Sequence, residues 1–208
     1  ELHHRVKNNL ALISALFELQ ASFTNNDAVN KILQDSRRRI KALALAHDFF
    51  SEEKAKVELD FKNYLSNLID FIYQKQKKND VPVELVKEID DTRMSINQAI
   101  PCGLICNELL SNAFQYAFTR NSDSRIVRII FKKEGNSGVL KISDNGKGLQ
   151  NKTMYENPES FGFTIVKTLA DQLKADVDIK HNNGTEFEIR FDLTYTKGSG
   201  SAMLHESA

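Results

Sequence analysis

The feature that most constrains this chain is an apolar stripe over residues 1 to 52 that is too wide for the two helices carrying it. On a helical wheel of residues 1 to 24, Leu2, Val6, Leu10, Leu12, Ile13, Leu16, Phe17, Leu19 and Phe23 fall in one broad arc. Asn25, Asn26 and Asp27 then supply turn residues and a candidate N-cap. A second helix is expected to run to about Glu52, with Val29, Ile32, Leu33, Ile40, Leu43, Ala44 and Phe50 at three-four spacing. A lone hairpin leaves part of this surface in water. A second copy completing a four-helix bundle is the simplest cover, so a homodimer is expected.

The histidines divide on the same wheel. At about 100° per residue His4 points roughly 150° from the centre of the arc, whereas His3 sits at its edge beside Val6 and Leu10. Lys7 and Asn8 lie three and four residues on and share the face of His4, offering a cation and an amide to whatever the imidazole receives. A phosphoryl group suits that setting; the plain alternative is a pair of ordinary surface histidines. His47 lies on the stripe with Leu43 and Phe50 and reads as a packed histidine, and Arg37-Arg38-Arg39 reads as a solvated helix face.

Composition excludes several classes. The 28 basic and 28 acidic residues balance to zero, which gives no support to a nucleic-acid or membrane-surface partner attracted by bulk charge. Cys102 and Cys106 stand four apart without neighbouring histidines, so neither a zinc site nor a disulfide framework is indicated, and a reducing cytoplasm is expected. No apolar run approaches the roughly 20 residues that span a bilayer. The chain begins inside a motif, as a fragment lacking its sensory part would, and residues 194–208 read as a flexible tail or expression scar.

Beyond the hairpin the pattern predicts helices at 61–76, 95–118 and 162–173. Strands are predicted at 83–89, 126–133, 138–143, 175–180 and 185–193, an antiparallel-leaning two-layer α/β sandwich. Four short segments there carry chemistry. On the long helix Glu108 and Asn112 share a face, where a carboxylate beside a carboxamide oxygen can organise Mg²⁺ around a triphosphate. After an apolar strand comes Asp144-Asn145-Gly146-Lys147-Gly148, an acid that can accept from an adenine amine and glycines that admit close backbone approach. Gly162 opens a helix whose free N–H groups make a phosphate cradle. Asn183-Gly184-Thr185 enters the last strand. Each alone is an ordinary turn or helix start; four in this order are specific.

Two resemblances follow. His4-Arg5-Val6-Lys7-Asn8-Asn9-Leu10 resembles the phosphoacceptor motif of sensor histidine kinases related to the HWE subfamily, and the four segments resemble the N box and three glycine boxes of the GHKL ATP-binding fold. They imply a dimerisation and phosphotransfer hairpin at 1–56 and an ATP-binding domain at 57–193. His4 would take the phosphoryl group with Lys7, Asn8 and Glu108 assisting, then pass it to a response-regulator receiver aspartate. Asn112 would hold Mg²⁺, with Asn107 and Tyr116 beside it. Asp144, Gly146, Gly148, Gly184 and Thr185 would serve the adenine end, and Gly162, Phe163 and Thr164 the phosphates of ATP. The chain departs from the common patterns at five positions. Arg5 follows the histidine where an acid is commonest, and Gln115 stands where a phosphate-facing lysine is frequent. Phe161 and Phe163 replace leucines, and Asn107 replaces a histidine. An ATPase without phosphotransfer and a non-catalytic dimeric scaffold are the competing readings. The eleven residues between Gly148 and Ser160 are expected to form a short, mobile lid.

Overall fold

The computed structural model describes residues 2–52, 58–76, 82–119, 124–149, 153–156, 158, 160–181 and 183–193; of residues 2–4, 50–52, 75–76 and 153–154 only the backbone is described. The side chains of His3 and His4, the expected tail and most of the expected lid therefore lie outside the described residues.

The hairpin forms where its periodicity predicts, with α1 at Leu2–Phe23 and α2 at Asp27–Glu52. Asn26 caps α2. Its Oδ1 accepts from the N–H groups of Ala28 and Val29 at 2.9 and 3.2 Å, donors that the first helical turn would otherwise leave unsatisfied. Ion pairs Lys7–Asp48 and Glu18–Arg37, both 2.8 Å, set the antiparallel register.

A second buried face of α2 escaped the wheel. Ala42 and Ala46 have no exposed surface, and Leu45 and Phe49 pack into the same core. The neighbour is α3 (Phe61–Gln76), whose Tyr64 donates its hydroxyl to the Ala42 carbonyl at 3.4 Å and sets its ring edge-on to Phe49. Two alanines one turn apart let this contact close. The arginine run is likewise not a solvated face: Arg37, Arg38 and Arg39 are each half-buried and each meets a carboxylate, from Glu18, Asp35 and Glu108 respectively. A helix clamped between α1 and the sandwich has no fully wet side at this level.

A small ribbon of β1 (Glu58–Asp60) and β3 (Arg93–Ser95), not anticipated from sequence, brackets α3. The main sheet contains β2 (Glu84–Ile89), β4 (Ile126–Glu134), β5 (Ser137–Asp144), β6 (Asp176–Lys180) and β7 (Thr185–Asp192), in the order β2-β4-β5-β7-β6. β2 and β4 are parallel; the other three pairings are antiparallel. Alternation assigns the faces. Val127, Ile129 and Phe131 of β4 and Phe187, Ile189 and Phe191 of β7 turn to the core with α3, α4 (Ile96–Asn112) and α6 (Phe161–Leu173). The opposite face carries the ion pairs Lys141–Glu188, Lys180–Glu186 and Arg190–Glu134 and needs no cover, so the architecture stops at two layers.

The long helix does not run unbroken to residue 118. Its last turn, Ala113–Ala117, is π-helical, a local widening that recurs at functional sites. Within the expected lid, α5 (Thr153–Glu156) makes one helical turn, and Tyr155 packs on Phe187 with ring centres 5.9 Å apart. Cys102 and Cys106 are buried and free on α4, where burial pushes both thiols up, as suits residues that serve only packing.

Because no space is left at Ala42, Ala42→Leu is expected to cost about 1–3 kcal/mol through overpacking against Tyr64. The urea midpoint of unfolding should fall accordingly, while Lys62→Ser on the exposed face of α3 should lower it far less.

Candidate functional site

A cleft of about 520 Å³ lies between α2 and the helical layer of the sandwich. One end is built by strand pairing. The β5–β7 register places Asp144 opposite Thr185, so that the Asp144 carboxylate receives hydrogen bonds from the Thr185 backbone and hydroxyl and from the Gly146 N–H at 2.9 Å. Burial raises the Asp144 pKa above its ordinary value, and the three hydrogen bonds oppose that rise. A carboxylate held this way has its orientation fixed by the sheet and retains acceptor capacity for a ligand amine.

The glycines act behind this end. A Cβ on Gly146 would stand 2.2 Å from the Ala117 carbonyl oxygen, which also accepts from the Lys147 N–H at 2.8 Å. Gly184, at φ +124°, backs onto the Asp144 carbonyl, where a Cβ would come within 1.8 Å. Both positions need glycine so that backbone can pack on backbone, and neither lines the cleft. Gly148 does line it.

At the other end α4 and the start of α6 converge. A Cβ on Gly162 would lie 3.3 Å from Oε2 of Glu108 and 3.9 Å from Oδ1 and Nδ2 of Asn112. Ser160 caps α6, its hydroxyl accepting from the Phe163 N–H at 3.4 Å. The helix thus directs its positive dipole end toward the Glu108–Asn112 pair, a setting for anionic oxygens. Among the described residues no cluster of three His, Cys, Asp or Glu side chains is arranged to hold a metal. A cation here depends on Asn112 together with oxygens from a ligand.

Glu108 is buried and charge-compensated from across the cleft. Arg39 of α2 donates from Nε to Oε1 at 2.9 Å and from NH2 to Oε2 at 2.7 Å, and Asn107 adds a bond to Oε1 at 2.8 Å. The two charged side chains are only 17% and 7% exposed. The Arg39 guanidinium also sits 4.9 Å from the centre of the Phe161 ring, a cation–π contact. Nearer the hairpin turn, Lys31 donates to the Tyr116 hydroxyl and lies 4.9 Å over that ring. The π-helical turn carries Tyr116 there.

Of the residues singled out from sequence, Glu108, Asn112, Tyr116, Asp144, Gly148, Gly162, Phe163 and Thr185 line this one cleft. Asn107 stands behind Glu108, and Thr164 turns its hydroxyl to the Ser160 carbonyl at 3.1 Å; with Gly146 and Gly184 they support the wall rather than form it. Gln115 is exposed on the rim. His4, Lys7 and Asn8 belong to α1, whose described side chains contribute no wall, and Lys7 is engaged with Asp48. The residues missed are chiefly those of α2, namely Ile32, Asp35, Ser36, Arg38 and Arg39, together with Leu149 and Phe187. The arginine run was the available signal, but its facing carboxylate is 69 residues away in sequence.

Comparison with known proteins places these features. Residues 1–76 match a family described as histidine kinase, and residues 97–195 match one described as histidine kinase-, DNA gyrase B-, and HSP90-like ATPase. The sensor histidine kinase PdtaS of Mycobacterium tuberculosis is 32% identical over 174 residues, covering 81% of this chain and 33% of that protein; its Mycolicibacterium smegmatis counterpart is 29% identical over 172 residues, covering 81% and 34%. The chain therefore spans about a third of the length of these curated relatives. The histidine kinase domain of the Erythrobacter litoralis EL346 blue-light activated histidine kinase superposes with a TM-score of 0.72 at 20% identity, covering 92% of this chain and 94% of that one. The fold, a helical N-terminal region followed by a GHKL-type α/β sheet, is that of histidine kinase domains.

The raised pKa of Asp144 separates binding from stability. Its protonated form is the one the fold favours, so its contribution is fully present below the ordinary 3.8 and is lost as pH rises through the higher folded value. At pH 7 the ionised carboxylate is a cost to folding. Asp144→Asn is thus expected to leave the melting temperature unchanged or raised while weakening ATP binding by about tenfold or more through loss of the acceptor. Calorimetric titration and a thermal melt on the same sample check both halves.

Proposed function

We propose that this chain is the core of a sensor histidine kinase that autophosphorylates His4 with ATP and passes the phosphoryl group to the aspartate of a response-regulator receiver domain. The observation that carries this reading is the convergence, in one cleft, of an adenine-facing acid at Asp144 and a phosphate end formed by Asn112 and the start of α6. That cleft borders a hairpin whose first helix bears the His4 motif. Its two ends suit the two ends of a nucleoside triphosphate. Family matches over both parts of the chain support the same reading.

Within it, residues 1–56 form the dimerisation and phosphotransfer unit, 57–193 the ATP-binding unit and 194–208 a tail. The homodimer is supported by apolar side chains that no other described part of the chain covers: Leu12 at 62%, Leu16 at 51%, Leu19 at 54% and Phe23 at 81% exposure. A second hairpin would bury them. The work of the chain is cytoplasmic in this reading, where ATP and receiver domains reside. No described helix is long and apolar enough to cross a membrane.

Mg²⁺, held through Asn112 and phosphate oxygens, would neutralise charge on the transferring group. The rest falls to side chains. Asp144 and Thr185 seat the base, Gly162 and the α6 dipole seat the phosphates while Thr164 braces the start of that helix from behind, and a ring nitrogen of His4 attacks the γ-phosphorus. The bond from phosphorus to the ADP oxygen breaks as the P–N bond forms. The proton on the other ring nitrogen then leaves to a base, and Glu108 is the carboxylate beside the phosphate end. Lys7 and Asn8 lie on the acceptor's side of α1.

Two outcomes test this. His4→Gln should abolish acid-labile, base-stable labelling from γ-labelled ATP while leaving ATP binding intact, whereas His3→Gln slows labelling and His47→Gln mainly lowers the melting temperature. Mapping the label by mass spectrometry at neutral pH to His3 or His47 refutes the assignment; free phosphate without protein label points to an ATPase. Light scattering at micromolar concentration should give twice the chain mass, and a monomer sinks the dimer.

A further inference from the structure

The register of the hairpin bears on how the cleft meets its acceptor. Lys7 faces Asp48 and Glu18 faces Arg37, eleven residues further along each helix, so the pairing is uniform. Continued to the start of α1, it sets the backbone of residue 4 opposite that of residue 51. Arg39, which touches Glu108, lies twelve residues from that level, about 18 Å along the axis at 1.5 Å per residue. The phosphate end of the cleft therefore abuts α2 roughly 18 Å from the level of His4, against about 3 to 3.5 Å for reacting atoms.

The contact that holds this register has two parts. Close to the connection between hairpin and sandwich it is apolar, with Ala42, Ala46 and Phe49 against Tyr64. Farther out it is polar, with Arg39 on Glu108 and Phe161 and with Lys31 on Tyr116. The first suits a pivot, since a single hydrogen bond, from Tyr64 to the Ala42 carbonyl, is set there in otherwise apolar packing. The second suits a catch, because both oxygens of a buried carboxylate are satisfied by one planar cation. It also occupies Glu108, the carboxylate that α4 places beside Gly162 and Asn112.

We propose that Arg39 is a latch: its ion pair with Glu108 holds the ATP-binding unit in a resting register away from the acceptor, and phosphoryl transfer requires the pair to open. This rests on His4 being the acceptor, as proposed above. The latch is built from the arginine run and the N box, two segments that otherwise belong to separate units. Opening it frees Glu108 to take a proton and lets the cleft move along the hairpin toward the end of α1.

The test uses the full chain, with Arg39→Ala to remove the cation and Arg39→Lys to keep charge but lose the bidentate geometry. Two readouts are taken on each. One is the initial rate of labelling from γ-labelled ATP; the other is the distance distribution between spin labels at Ser22→Cys and Asn136→Cys, with the buried Cys102 and Cys106 left in place. Arg39→Ala should raise the labelling rate by about tenfold and broaden or lengthen the distance, with Arg39→Lys between it and wild type. A Glu18→Gln control, which breaks a hairpin ion pair that does not reach the cleft, should change neither. An unchanged distance in Arg39→Ala overturns the latch, as does a changed distance with an equal or slower rate. If no form is labelled, wild type included, the acceptor assignment fails instead, and the distances still decide whether Arg39 holds the register.

Discussion

A carboxylate that is 7% exposed in a protein interior must be compensated, and at Glu108 the compensation comes from a different part of the chain. This ties the hairpin to the sandwich more specifically than apolar contact does. Ala42, Ala46 and Phe49 tolerate small displacements against Tyr64, but a bidentate guanidinium–carboxylate pair has one good geometry. The relative position of the two layers, the shape of the cleft and the side of α2 that faces it all follow from where that pair can form. Such a pair contributes less to net stability than to register, since desolvating both ions offsets much of their attraction.

The cleft divides its tasks between rigid and adjustable parts. Asp144 and Thr185 sit opposite each other on central, hydrogen-bonded strands, so their end of the cleft is set once the sheet is formed. Gly146 and Gly184 serve that end indirectly by letting the following loop fold back on Ala117 and on Asp144 itself. The end beside Glu108 and Asn112 is different in kind. Its donors are the start of α6 and side chains of α4, and its far wall is α2, an element of the hairpin. A nucleotide held between them would sense the hairpin's position directly.

Helix α2 is the element whose surroundings are most unlike its sequence. It is covered on one side by α1, on another by α3 and α4, and at its arginine run by three separate carboxylates. What remains open is the outer surface of α1 together with the first turns of α2, where Val29 and Ile32 join Leu12, Leu16 and Phe23. Ile32 belongs both to that open surface and to the cleft wall, so a second copy seated there would reach the edge of the cleft.

Local chemistry was readable directly. Three-four spacing marks α1, α2 and α3, alternation marks β4 and β7, Asn26 announces a cap, and the glycine and aspartate spacings mark the loops around the cleft; each depends on neighbours within a few residues, which sequence displays. The parallel β2–β4 pairing, the short β1–β3 ribbon and the π-helical turn at Ala113–Ala117 were not readable, because each is settled by partners tens of residues away or by packing that overrides helical propensity. The same division holds at the site. Sequence pointed to Glu108, Asn112, Asp144, Gly162, Phe163 and Thr185 on the cleft wall, because their chemistry sits in compact motifs. It did not point to Phe187 of β7, and it also named Asn107, Gly146, Thr164 and Gly184, which stand behind the wall. Only the tertiary structure decided that Arg39 completes it, because a charge run looks the same whether it faces water or a buried carboxylate, and burial is a property of the fold rather than of the residue.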